Sequence, residues 1–231
     1  MFHSNLAGQR RVFHHASSLE DQISIAVPTI SLVTCVWSQP AQESPADHLK
    51  VVVPLAVRSY PSNWQRVLIL KDGSRVFARP IRPDDAPKIL SLLRSVSRED
   101  LRLRFFDSIK EFSHEFIVKL TQLDYSRAMA FVASDEAEGD IVGVVRLHSD
   151  STRETGEFAI LLKSDRKGRG LGWALMQLII EYARSEGLKS ISGQILHENS
   201  VMLNMCRELG FEVKVDPMEL DIYDVSLALT G

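Results

Sequence analysis

Residues 157–176, EFAILLKSDRKGRGLGWALM, constrain the fold of this chain more than any other stretch. The first part alternates. Glu157, Ala159 and Leu161 fall on one face of a strand, and Phe158, Ile160 and Leu162 on the other. The last part opens a helical repeat in which Leu171, Leu175, Leu178, Ile179 and Tyr182 form one stripe, ended by Glu186-Gly187. Between them lie four cations, Lys163, Arg166, Lys167 and Arg169, and glycines at 168, 170 and 172. A strand that turns through glycine into a helix aims backbone N–H groups at the turn, where the helix end is partially positive. Glycine lets an anion approach the main chain with no Cβ in the way, and nearby cations add Coulombic attraction. The corner therefore reads as a phosphate site. The Walker pattern GxxxxGK[ST] is absent. The dinucleotide pattern GxGxxG fails at its third glycine, where Trp173 stands. The spacing that fits is basic-x-x-Gly-x-Gly, from Lys167 to Gly172.

The rest of the chain supplies a layered frame for this corner. Residues 66–81 are two β-prone runs around Asp72-Gly73, a hairpin signal. Pro83, Asp84 and Asp85 suit a helix start, followed by Ile89, Leu92, Leu93 and Val96 at helical spacing. Ser97 and Ser113 are placed to cap two further helices. AMAFVAS, IVGVVRLHS and GEFAILLK form a three-strand meander. KSISGQIL is a strand, and a helix follows with Met202, Met205, Cys206 and Leu209 inward. Two closing strands, FEVKV and DIYDVSLAL, complete the order. Strands in sequence with helices inserted on their faces predict an α/β (α+β layered) domain over residues 61–231.

Residues 1–60 read as an amino-terminal extension, disordered or left from a larger upstream domain. Its 15-residue apolar run, ISIAVPTISLVTCVW, is too short to cross a membrane and carries Pro28. SQPAQESPAD is a linker, and LKVVVPLAV with Pro54 is at best an edge strand. A net charge of −3 gives no bulk pull toward nucleic acid or an anionic membrane. The two cysteines, Cys35 and Cys206, form no CxxC pattern, which fits a reducing, cytoplasmic setting. His114-Glu115 and His197-Glu198 do not extend to HExxH, so no metal is expected.

AILLKSDRKGRGLGWALM resembles the acyl-CoA-binding motif of the GNAT acetyltransferase superfamily, and HENSVMLNMCRELGF resembles its second motif, an Asn opening a helix that ends in Leu-Gly-Phe. DGSRVFARPIRPDDA and RLRFF, with the stretch from Gly156, are similar to the acetyltransferase domain of bacterial Pat-type protein-lysine acetyltransferases. The resemblance covers about residues 60–215. LKVVVPLAVRSYPSNW is similar to the tail of the acyl-CoA-synthetase-like portion that precedes this domain in many of them. It implies a mixed, mostly antiparallel central sheet with a splayed strand and helices on both faces, and acetyl-CoA as cosubstrate. The backbone of Leu161 and Leu162 would pair with the pantetheine arm. Lys167, Gly168, Arg169, Gly170, Leu171 and Gly172 would wrap the pyrophosphate, Lys167 replacing the usual Arg or Gln. Asn199 would contact the pantetheine region and equally reads as a plain helix N-cap. The implied partner is a protein with an acceptor lysine, such as the active-site lysine of an acyl-CoA synthetase. A small amine and a non-catalytic acyl-CoA sensor are the alternative readings.

Acyl transfer to an amine needs a base, because a lysine with pKa ~10.4 is almost wholly protonated at neutral pH. Glu157 matches the family's catalytic glutamate, and burial beside an apolar strand would raise its pKa. Glu154 is the local competitor. Many superfamily members carry a Tyr three residues before Leu-Gly-Phe. Cys206 stands there in this chain, in an apolar helix face, and reads as a small hydrophobe.

Overall fold

The computed structural model describes residues 58–106 and 111–229. LKVVVPLAV and everything before it lie outside the described residues. The domain is built on one eight-stranded sheet in the order β1-β2-β3-β4-β5-β6-β8-β7. The strands are β1 (Arg66–Ile69), β2 (Arg75–Pro80), β3 (Ala128–Ser134), β4 (Ile141–Ser149), β5 (Thr155–Leu162), β6 (Ser190–Leu196), β7 (Glu212–Val215) and β8 (Ile222–Ala228). Every neighbouring pair is antiparallel except β5 and β6. The expected hairpin forms at Asp72-Gly73. Gly73 takes φ +80°, and Asp72 accepts from the Ser74 N–H at 2.9 Å.

Among the described residues, five α-helices cover the two faces: α1 (Ala86–Ser95), α2 (Arg98–Phe105), α3 (His114–Thr121), α4 (Leu171–Ser185) and α5 (Ser200–Glu208). β3 shows why both faces need covering. Its Met129, Phe131 and Ala133 join the core on one side, and Ala130 and Val132 the core on the other. The first core takes Leu171, Leu175, Leu178, Ile179 and Tyr182 from α4, the stripe predicted from their spacing, and Met202, Leu203 and Cys206 from α5. The second takes Ile89, Leu92 and Leu93 from α1, Leu101 from α2 and Phe116, Ile117 and Leu120 from α3. Ser97 and Ser113 cap α2 and α3, accepting from Asp100 and Phe116 N–H groups at 3.1 Å each.

Two contacts tie the start of the domain down. Arg58 pairs with Glu186 at 2.6 Å, and the Tyr60 hydroxyl donates to the Pro80 carbonyl at 3.0 Å. Arg79 and Asp85 form an ion pair at 2.6 Å with both side chains only 3% exposed. Burial works to raise the Asp85 carboxyl. The hydrogen bonds from Arg79 and the Arg82 N–H outweigh it and leave Asp85 below its usual range.

The one parallel contact comes from β5, α4 and β6, a strand–helix–strand crossover. The chain then returns through α5, and β8 inserts between β6 and β7. This topology puts the glycine corner, at the end of β5, beside the start of α5.

Candidate active site

β5 and β6 pair only from Thr155 to Glu157, against Ser190 to Ser192. Beyond that the register stops, and a cleft of about 990 Å³ opens between the diverging strands. Phe158 sits at the fork. Its ring lies 2.9 Å from where a Cβ on Gly193 would be, so β6 can pass here only because residue 193 has no side chain. Hydrogen bonding fixes which main-chain groups face the opening. Lys163 N–H donates to Val142 at 2.9 Å, and Asp150 N–H to Thr155 at 3.0 Å. Antiparallel pairing alternates from those anchors, so Thr155, Glu157, Ala159 and Leu161 turn their main chain to β4. Phe158, Ile160 and Leu162 turn theirs toward the cleft. Of the two residues expected to meet the pantetheine arm, Leu162 therefore presents its main chain to the cleft and Leu161 is engaged with Val144. Ile160, which spacing did not single out, takes the second cleft-facing position.

At the far end of β5 the corner forms as its glycines require. Gly168 and Gly170 take φ +75° and +92°. A Cβ on Gly170 would fall 3.0 Å from the Lys71 backbone N, and one on Gly172 3.3 Å from Leu162 Cδ1. The first helical bond of α4 runs from the Ala174 N–H to Gly170 at 3.0 Å. Among the described residues, no N–H from Lys167 to Trp173 donates to another backbone carbonyl. That row of free donors at a helix start is a cradle for an anion.

The four cations are less available than the sequence implied. Lys167 pairs with Asp100, Arg169 with Asp72 at 2.7 Å, Arg166 with Asp135, and Lys163 with Asp165 at 3.6 Å. Burial works to raise Asp100, but hydrogen bonds from Lys167, Ser164 and Ser97 together hold it lowered. Lys167, Gly168, Gly170, Gly172 and Asn199 all line the cleft. Arg169 is turned to Asp72, and the Leu171 side chain is in the core. Asn199 caps α5, accepting from the Met202 N–H at 3.2 Å. Lys71 joins the corner from the hairpin, its ammonium 4.9 Å above the Trp173 ring. No local sequence signal pointed to Lys71, because it arrives from a strand pair about a hundred residues away.

Glu157 lines the same cleft at the fork. It faces open space, yet protein crowds its carboxyl. Burial pushes the carboxyl above its usual range, and Arg104 pulls it partly back. His148 stands opposite Glu157 in the β4–β5 register, and Arg146 two residues along, so the three side chains share one sheet face. Arg104 reaches them from the last turn of α2. Burial lowers Arg104 to about 10 and Arg146 to about 9; Glu157 works to raise Arg104, and Arg104 lowers Arg146 further. His148 is lowered by burial and by Arg127 and Arg146, and its buried Nδ1 has no partner among the described residues. RLRFF contains Arg104, but nothing in its spacing marks that side chain as part of a site.

Glu154, the competing carboxylate, is exposed, pairs with Lys189 at 2.5 Å and lines no part of the cleft. Cys206 is fully buried, and burial pushes its thiol up to about 12, so it packs as the small hydrophobe its position implied. Among the described residues, no group of three or more His, Cys, Asp or Glu side chains could hold a metal. No described helix is long and apolar enough to cross a membrane.

Known proteins are similar to this chain in sequence and fold. A family model described as "Acetyltransferase (GNAT) family" matches residues 95–211. An acetyltransferase of Pseudomonas aeruginosa is 31% identical over 150 residues, covering 64% of this chain and 81% of that protein. The acetyltransferase Pat of Mycolicibacterium smegmatis is 26% identical over 142 residues, covering 61% of this chain and only 42% of Pat. The crystal structure of the GNAT domain of S. lividans PAT aligns with a TM-score of 0.68 at 25% identity, covering 73% of this chain and 99% of that domain.

Proposed function

This chain belongs to the GNAT acetyltransferase family, and we propose that it moves an acetyl group from acetyl-CoA to a primary amine with Glu157 as general base. The observation that carries the reading is the shared cleft: one continuous opening has the free N–H row of residues 167–173 at one end and Glu157 at the other. The N–H row and Lys167 would hold the pyrophosphate, with Asp100 giving up Lys167 to it. Ile160 and Leu162 would pair with the pantetheine arm through the main chain they turn to the cleft. The fork would then receive the thioester beside Glu157.

Glu157 accepts a proton from the incoming ammonium, directly or through a water, and leaves a neutral amine. The amine nitrogen attacks the thioester carbonyl, a C–N bond forms and the C–S bond breaks. The departing CoA thiolate takes up a proton from water or from the one released by the amine. A carboxyl raised by burial suits the role, since a base works best with a pKa close to ambient pH.

We take a protein lysine as the acceptor, with the active-site lysine of an acyl-CoA synthetase as its first test. The likeness to Pat supports this, though it reaches only part of that protein. The cytoplasm is the compartment this reading implies. The test incubates the protein with radiolabelled acetyl-CoA, purified acyl-CoA synthetases and a panel of small amines, beside a Glu157→Gln variant. Label should move to an amine with the wild type and fall sharply with the variant. Equal transfer by both proteins would remove Glu157 as the base. Tight acetyl-CoA binding with no transfer to any acceptor would make the protein a sensor.

A further inference from the structure

We propose that Arg104 and Arg146 form a carboxylate-binding subsite of the acceptor groove, so that the amine acetylated by this protein lies next to a carboxylate. The inference rests on reading the Glu157 end of the cleft as the place where the acceptor arrives.

The contrast with the glycine corner carries the argument. There, each of the four cations has a carboxylate partner within the protein. At the fork, Arg104 and Arg146 have no carboxylate hydrogen-bonded or ion-paired to them among the described residues. Arg146 donates to the Leu120 carbonyl, and Arg104 lies over the Phe105 ring at 4.8 Å and feels the field of Glu157. A guanidinium carries five N–H donors in a planar fork, which matches the two oxygens of a carboxylate. Most of those ten donors have no protein partner among the described residues.

The surroundings do not solvate the pair from behind. A small cavity of about 30 Å³ adjoins Arg104 and Arg146, and Leu92, Leu93, Val144 and Leu161 supply its apolar wall. Two half-buried cations beside one carboxylate leave an excess of positive charge. His148 adds no further charge, because burial and the neighbouring arginines favour its neutral form. Such an excess is relieved by an entering anion.

That anion is not the pyrophosphate. Five residues of extended β5 separate Glu157 from Leu162, about 16 Å of strand. The amine must come to Glu157, and Arg104 is close enough to act on the same carboxyl. The group bound by the arginines therefore sits near the acceptor's amine. A free α-amino acid meets the requirement through its own carboxylate, and a lysine in a protein meets it through an acidic neighbour.

The test reads binding first, so that it stands whether or not acetyl transfer occurs. Each free L-amino acid and its amide are titrated against the full chain in the presence of CoA by ligand-observed NMR. Lysine-centred pentapeptides with Glu or Gln beside the lysine form a second set. Thiol release from acetyl-CoA is then measured on the same pairs. In at least one set the acid should bind and react about tenfold or more better than its neutral twin. Arg104→Gln and Arg146→Gln should each erase that preference, Arg→Lys should restore part of it, and acetyl-CoA affinity should stay unchanged throughout. Preference only among free amino acids identifies the acceptor's own carboxylate, and preference only among peptides identifies a flanking acidic residue. Equal binding of acid and neutral twins in both sets, or a preference that survives both Gln variants, overturns the subsite. Carboxylate preference in binding with no acetyl transfer to any acceptor would leave the subsite standing and remove the enzymatic reading.

Discussion

The Phe158 ring lies 2.9 Å from the point where a Cβ on Gly193 would sit, immediately past the last paired residues of β5 and β6, Glu157 and Ser192. The ring fills the start of the fork and also packs edge-on against Phe211 at 5.3 Å. It is held from both sides, so the width of the cleft at the reacting end depends on a residue with no side chain.

Gly193→Ala should push Phe158 and spread or twist the fork. Overpacking of this kind costs about 1–3 kcal/mol, readable as a lower Tm. Acetyl-CoA affinity should fall with it. Phe158→Leu in the Gly193→Ala background should recover part of the affinity, and no recovery would count against the wedge.

Glu157→Gln should lower kcat by about a hundredfold to ten-thousandfold and leave acetyl-CoA affinity in place. The pH profile gives an independent check. A base must be deprotonated to act, so kcat/KM rises as pH climbs through the Glu157 pKa. Burial raises that pKa, which moves the acid limb above the ordinary glutamate range. Arg104 opposes the shift, Arg146 adds positive charge on the same face, and His148 is held toward its neutral form. Arg104→Gln should therefore move the limb to still higher pH, and Glu157→Gln should abolish it.

Gly170 and Gly168 separate contact from strain at the corner. Alanine at either meets a left-handed backbone, at about 1–2 kcal/mol. At 168 no atom of the described residues lies within 4 Å of the new Cβ, whereas at 170 the Lys71 backbone N is 3.0 Å away. Gly168→Ala should keep most of the affinity for CoA measured by calorimetry, and Gly170→Ala should lose it.

Asp100 occupies Lys167 in the protein alone. Asp100→Asn should free the ammonium and tighten CoA binding by a few-fold, with a steeper loss on adding salt because more of the attraction is then Coulombic. Lys167→Met should weaken binding in the wild-type background and cancel the gain from Asp100→Asn. Additive effects of the two changes would show that the residues do not compete.

Asp85→Ala strands Arg79 at 3% exposure and should destabilise the domain by about 3–5 kcal/mol in urea unfolding. The folded-state pKa of Asp85 is depressed, so its contribution is present above the unfolded carboxyl pKa and is lost as pH falls through the folded one. Wild type should lose stability on acidification, and the Asp85→Ala variant should lose less over the same range.

Most of the frame was legible from period and punctuation. Leu171, Leu175, Leu178, Ile179 and Tyr182 announced α4 because a helix must bury one stripe, and all five are buried. Asp72-Gly73 announced the hairpin because few residues tolerate that turn. The corner was legible for the same reason: its glycines are needed where they stand, two of them at positive φ. The charges there were legible as residues and misleading as a free resource. Asp72, Asp100 and Asp135, which engage three of them, lie 97, 67 and 31 residues away.

The sequence by itself determined the order of elements, the corner that can hold a phosphate and the glutamate placed at the start of its strand, because each depends on residues near one another along the chain. Only the tertiary structure decided that β5 and β6 part after Glu157, which main-chain groups face the opening, and that Arg104 comes to the Glu157 carboxyl with Arg146 on the same sheet face. Those outcomes depend on register, on the missing side chain at Gly193 and on which groups are left without partners once the sheet and helices have closed. Such relations between distant residues are set when the core packs, and no local pattern encodes them.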